Sequence, residues 1–256
     1  MVPDTAPSQV PHEPHPSRRI GALLENAVFG FMDGLVTDLA VVAGVVAAPN
    51  SSIYFVVVAG IAATLASSVS MFLGAYIAAE TRYRYTMREM AREIREVEEM
   101  PEMERQEIRD IYLQQGFSAE ETEPIVQKIT ADKSLWVKTM MREELGFGED
   151  EMEPPSLLRE AAVGLTTLLG SSLPLLPFVV TLLLPNLASG LGIPTDDVAF
   201  LGSLALSSVA LAAVGVLKER YGENRPLKGA LQTLALGLGG AAVVYLIVNG
   251  IGYLLR

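Results

Sequence analysis

Four long stretches of this chain contain no Asp, Glu, Lys or Arg at all: residues 53–79, 161–195, 198–217 and 229–255. Nothing else in the sequence limits the fold so strongly, because a helix needs about 20 apolar residues to cross roughly 30 Å of hydrocarbon. A fifth stretch, residues 27–48, is comparably apolar except that it carries Asp33 and Asp38. The expected fold is therefore all-α with five transmembrane helices. Within the third stretch, Pro174 and Pro177 can kink one spanning helix, whereas residues 186–195 have the Gly and Pro content of a loop. A re-entrant pair of shorter helices is the alternative there.

Half of the residues are hydrophobic, yet the formal charge is -11, so the acidity must be concentrated outside the spans. It lies mostly between Glu80 and Glu153. The chain then divides into a disordered Pro-rich tail (residues 1–19), spans 1 and 2 (20–79), a helical insert (80–153) and spans 3 to 5 (154–256). Cysteine is absent, which excludes disulfides, thiolate metal sites and cysteine nucleophiles together. The two histidines, His12 and His15, both fall in the tail, and no phosphate-binding glycine loop is present. No catalytic residue, no catalytic cofactor, no enzyme activity and no nucleic-acid partner are expected.

Orientation follows from Lys and Arg in short loops. Arg18 and Arg19 precede the first span, and Lys218, Arg220, Arg225 and Lys228 fill the link between the fourth and fifth. The connections at residues 49–52 and 186–197 carry no basic residue. This pattern places the amino terminus and the insert in the cytoplasm and Arg256 outside. Lacking a cleavable signal and being compact, the chain fits a bacterial inner membrane better than a vacuolar one.

The insert reads as three helices. Nothing breaks the second span at its cytoplasmic end, so it is expected to continue through Glu80 to Glu99, which would put Glu93 roughly 20 Å beyond Ala79. Pro101 suits the start of a second helix, Gly116 its termination, and Ser118 with Glu121 has the capping-box spacing that opens a third. That third helix is expected to run past Trp136 to Leu145 and stop at Gly146. Glu89, Glu93 and Glu96 share one face of the first helix, Glu104 and Glu107 are one turn apart on the second, and Met140, Met141 and Glu144 cluster on the third. Each set has an ordinary reading taken alone: Arg92 and Arg95 are spaced for salt bridges with Glu96 and Glu99, and a methionine pair usually packs a core. Taken together, converging acidic faces with two polarizable thioethers would form an oxygen and sulfur site suited to Fe(II) or Mn(II), whereas an all-oxygen cage would favour Ca or Mg.

An ionisable residue inside a span is costly and usually faces a polar pathway, so Asp33 and Asp38 are both functional candidates. Five residues apart, they point about 140° from one another. In the second span, Met71 follows the small polar run Ser67-Ser68-Val69-Ser70, which permits close helix approach and could present sulfur to the same pathway. Ordinary interhelical or lipid-facing packing is the other reading of Met71.

With Phe31-Met32-Asp33-Gly34-Leu35 in the first span, Ser70-Met71 followed by Gly74 and Tyr76 in the second, and the Glu/Met insert before the third, the chain resembles the vacuolar iron transporter family from about Arg19 to its end. The most specific part of the resemblance is the ordered set Met71, Glu93, Glu96, Glu104, Glu107, Met140, Met141 and Glu144. It implies a homodimer in the lipid bilayer that exchanges cytosolic Fe(II), and also Mn(II), for protons. It further implies that Glu93, Glu96, Glu104, Glu107, Met140, Met141 and Glu144 capture metal, Mn(II) or Zn(II) being further occupants, while Asp33 and Met71 are intramembrane ligands.

The chain departs from the plant members at two places. They carry an acid one or two turns before the Asp-Gly pair, where this chain has Asn26 beside Glu25, and another in the second span, where it has Ala63. Asp38 is a candidate for the missing carboxylate at an unmatched position. Because charge in hydrocarbon is costly, Asp33 is a candidate to carry a proton back as metal leaves. The competing function is a membrane-anchored metal sensor or storage protein that does not transport.

Overall fold

A computed structural model describes residues 18–184, 194–220 and 225–254. In chain order the helices are α1 (Arg18–Ala47), α2 (Ile53–Glu99), α3 (Pro101–Gln114), α4 (Ala119–Thr130), α5 (Lys133–Glu143), α6 (Leu157–Leu183), α7 (Thr195–Arg220) and α8 (Pro226–Leu254). One 3₁₀ turn, Glu149–Met152, lies between α5 and α6. No strand occurs among the described residues, so the all-α expectation holds. Five helices, α1, α2, α6, α7 and α8, are long and apolar enough to cross a membrane. The tail expected over residues 1–19 falls outside the described residues up to residue 17, while Arg18 and Arg19 already belong to α1. Most of the loop expected over 186–195 also lies outside them.

Contacts group the chain into two units, Gly74–Leu157 and a second made of Met1–Leu73 with Leu158–Arg256. In the latter, Ala48 to Ser52 turn tightly between α1 and α2, with Asn50 at φ 59°. Asparagine tolerates this left-handed conformation better than other side chains. Val42 of α1, Val56 and Val57 of α2, Phe178 of α6 and Ala199 of α7 then pack as one cluster. Leu39 and Ala43 of α1 meet Ala241 of α8 in another.

Helix α6 is one continuous helix through Pro174 and Pro177, which corrects the re-entrant alternative. It touches α1 backbone to backbone. A Cβ on Gly34 would stand 2.2 Å from the Thr167 carbonyl oxygen, and one on Gly170 would stand 2.0 Å from that of Phe31. Glycine is what permits this approach, as small residues do between membrane helices.

Helix α2 is 47 residues long, about 70 Å at 1.5 Å per residue, so only its apolar first part can lie in roughly 30 Å of hydrocarbon. Ion pairs on its polar part, including Arg84 with Glu80 and Arg92 with Glu89, support the helix there. It ends because Pro101 pushes Met100 out of helical geometry, to φ -134° and ψ 51°, and the same proline opens α3. Gly116, at φ +100°, follows the end of α3. Ser118 and Glu121 cap α4 reciprocally. The single third helix expected over residues 118–145 is in fact two. It breaks at Ala131 and Asp132, where the Asp132 carboxylate accepts hydrogen bonds from the backbone N–H groups of Ser134 and Leu135 and so opens α5.

Candidate metal centre

Four helical segments of the Gly74–Leu157 unit share one apolar core: Val97 of α2, Ile108 of α3, Val126 and Ile129 of α4, and Trp136, Val137, Met140 and Met141 of α5. One helical turn from three of these core positions stands a glutamate. Glu93 precedes Val97 by four residues, Glu104 precedes Ile108 by four, and Glu144 follows Met140 by four. Residues four apart lie on the same face, so the faces that build the core also carry the acids to its rim. One carboxylate oxygen from each of Glu93, Glu104 and Glu144 lies within 4.8 Å of the other two. A single cation with metal–oxygen bonds of about 2.0–2.6 Å can bridge oxygens spaced in this way.

The charges at this rim are only partly offset by the protein. Glu93 and Glu104 are each only 1% exposed, and Oε2 of each has no hydrogen-bond partner. Burial, reinforced by Glu144 and Glu96, pushes Glu93 up to about 7, against the weaker opposing pull of Arg92. Burial likewise pushes Glu104 up to about 7, with Glu107, Glu93, Glu144 and Glu96 adding repulsion. Glu144 is raised by burial first, then by Glu107 and Glu96, with Arg92 opposing. Arg92 is the nearby counter-charge, but it is divided among Glu89 at 3.0 Å, Glu96 at 3.4 Å and Glu93 at 3.6 Å. Buried carboxylates with unused lone pairs and shared repulsion have two remedies, protons or a cation.

The sequence named five glutamates for this cluster. The structure brings Glu93, Glu104 and Glu144 into one constellation, and Glu96 and Glu107 are close enough to repel its members. Met140 and Met141 are both fully buried within the apolar core, one turn or less from Glu144. In the other unit, Asp33 on α1 and Met71 on α2 are each half-buried.

The site that sequence reasoning left without partners is Asp38. It is 0% exposed, and the Thr64 hydroxyl of α2 donates a 2.6 Å hydrogen bond to its Oδ2. The signal was available in the register of the hairpin: Asp38 lies nine residues before Ala47 and Thr64 eleven after Ile53 (47 − 38 and 64 − 53), so the tight turn sets them at similar depth.

The model of the VIT family matches residues 24–249. A vacuolar iron transporter 1 of Oryza sativa subsp. japonica is 32% identical over 239 residues, covering 91% of this chain and 88% of its own. The vacuolar iron transporter 1 of Arabidopsis thaliana is 31% identical over 226 residues, 88% of this chain and 84% of its own. A vacuolar iron transporter of Plasmodium falciparum is 26% identical over 228 residues, 88% of this chain and 80% of its own.

Proposed function

The chain belongs to the VIT family, and from that premise we propose that it is a membrane transporter that moves Fe(II) out of the cytosol in exchange for protons. The observation that carries this reading is the convergence of Glu93, Glu104 and Glu144 oxygens within 4.8 Å. Mn(II) is a second substrate on the same reasoning, since both ions accept the same ligands, and Zn(II) is a further occupant of the insert.

In this mechanism the acidic insert faces the cytosol and its negative field concentrates cations. Glu93, Glu104 and Glu144 hold the captured ion, Glu96 and Glu107 add charge around it, and Met140 and Met141 offer sulfur. Protons and metal compete for the same oxygens, and Glu93 and Glu104, pushed up to about 7, are poised where a small acidification releases the ion. Capture is then firm enough to concentrate metal and loose enough to pass it on. Asp33 and Met71 take the ion within the membrane. Two copies of the chain form the route between them; the exposed apolar stripe Ile61, Leu65, Val69 and Leu73 of α2 faces lipid or the second copy.

The test is metal uptake by purified protein in vesicles under a pH gradient, comparing Fe(II), Mn(II), Zn(II) and Mg(II). Fe(II) and Mn(II) uptake that collapses the gradient is the expected result. Tight binding with no uptake of any ion would replace transport by anchored sensing or storage.

A further inference from the structure

Asp38 is the most completely buried acid of the membrane helices, and only one of its two oxygens is accounted for. Thr64 donates to Oδ2, while Oδ1 has no hydrogen-bond partner. The Ser171 hydroxyl of α6 approaches the same carboxylate, and it too has no hydrogen-bond partner of its own. Its approach is enforced by the backbone contact of α6 with α1, since a Cβ on Gly34 would stand 2.7 Å from the Ser171 oxygen. A closed polar pocket therefore holds an orphaned carboxylate oxygen and an orphaned hydroxyl.

We propose that Asp38, Thr64 and Ser171 form a second intramembrane site, all oxygen and separate from Asp33 and Met71, whose occupant is a proton on Asp38 Oδ1. Three observations select a proton over a metal ion. The pocket contributes one formal charge, half of what a divalent ion carries. Its polar groups are one carboxylate and two hydroxyls, fewer oxygens than the about six that a hard divalent ion usually gathers. No ion pair to Asp38 occurs among the described residues, and Thr64 and Ser171 are the side chains that interact with it. A carboxylate buried between membrane helices with no cation paired to it is more stable neutral than charged, and Oδ1, which Thr64 leaves free, is the oxygen open to the proton. The site stands without the transport reading; its use in coupling metal to proton movement rests on that reading.

The test is infrared difference spectroscopy of the full chain in lipid nanodiscs, with H₂O exchanged for D₂O. In a background carrying Glu93→Gln, Glu104→Gln and Glu144→Gln, which removes the insert carboxyls that burial raises, the carbonyl band of a protonated carboxyl should be present at neutral pH and missing once Asp38→Asn is added. In Ser171→Ala and in Thr64→Val it should persist at a shifted frequency, an effect that loss of mere packing does not produce. Should Asp38→Asn fail to reconstitute, those two variants decide the matter, since an unmoved band in both overturns the site. A band retained in Asp38→Asn overturns it as well. So does loss of one bound Mn(II) per chain on that substitution, because the occupant is then a metal ion. In vesicles, Asp38→Asn should lower the protons exchanged per Mn(II) carried. A wild type that carries no metal but keeps the band refutes transport alone and leaves the proton site supported.

Discussion

The rim of the insert core and the pocket around Asp38 both bury carboxylates, but they group them differently. At the rim, three acids from three helices share a space a few ångströms across, with Arg92 spread thinly among several of them. Around Asp38 there is one acid and two hydroxyls. The contrast teaches that the number of acids, rather than their burial, sets what a site can accept. Several charges facing one another reward a divalent ion, whereas a lone charge in hydrocarbon is satisfied by a proton.

The sharpest way to break that comparison is to remove the convergence. Replacing Glu93, Glu104 and Glu144 together by Gln should weaken Mn(II) binding, measured by calorimetry on the full chain. The loss should be at least the roughly 10–100-fold that removing a mere supporting group costs. Binding within a few-fold of wild type would dissolve the centre.

The next largest effect is on pH. Because Glu93 and Glu104 stand at about 7 when folded against an ordinary 4.5, Mn(II) affinity should climb as pH rises through neutrality and level off above it. Without metal the sign for stability is the reverse. An acid held above its unfolded value binds its proton more tightly when folded, so its contribution is present below about 4.5 and is lost as pH rises toward 7 and beyond. The metal-free melting temperature should therefore fall over that window, and Glu93→Gln with Glu104→Gln should flatten the fall. A metal-free profile that rises with pH would contradict the burial of these acids.

A smaller effect separates sulfur from packing. Met140→Leu with Met141→Leu keeps the core volume and should cost less than about 1.5 kcal/mol for each exchange, read by denaturant unfolding. If the thioethers ligate, Mn(II) and Fe(II) affinity drops while Mg(II) binding is unchanged; affinities unchanged from wild type for all three would make the pair core alone. Smallest for metal binding is Thr64→Val, which should leave affinity at the insert as it was while stripping Asp38 of its hydrogen bond, at about 1–3 kcal/mol of thermal stability.

Much of this was legible in the residues, and the reasons for success and failure are local. Pro101, Gly116 and the Ser118–Glu121 box fix helix ends through backbone geometry, so they read correctly without any partner. The long α2 followed from the lack of any breaker. The break at Asp132 was missed because its apolar neighbours, Val126, Ile129, Trp136 and Val137, all face one core. Such a pattern looks like one helix until the capping carboxylate is weighed. The convergence of the glutamates was inferable from their spacing, since each sits one turn from a core residue. The Asp38–Thr64 pair was not singled out, because it depends on pairing two helices across a turn rather than on any pattern within one.

Trp136 is the only tryptophan of the chain, and it lies in the core beneath the acids, with the Arg105 guanidinium 5.6 Å from the centre of its ring. Arg105 is the neighbour of Glu104. Any event that changes the charge on Glu104 thus alters the electrostatic surroundings of a single indole, and the ultraviolet emission of the unlabelled protein becomes a gauge of charge at the rim.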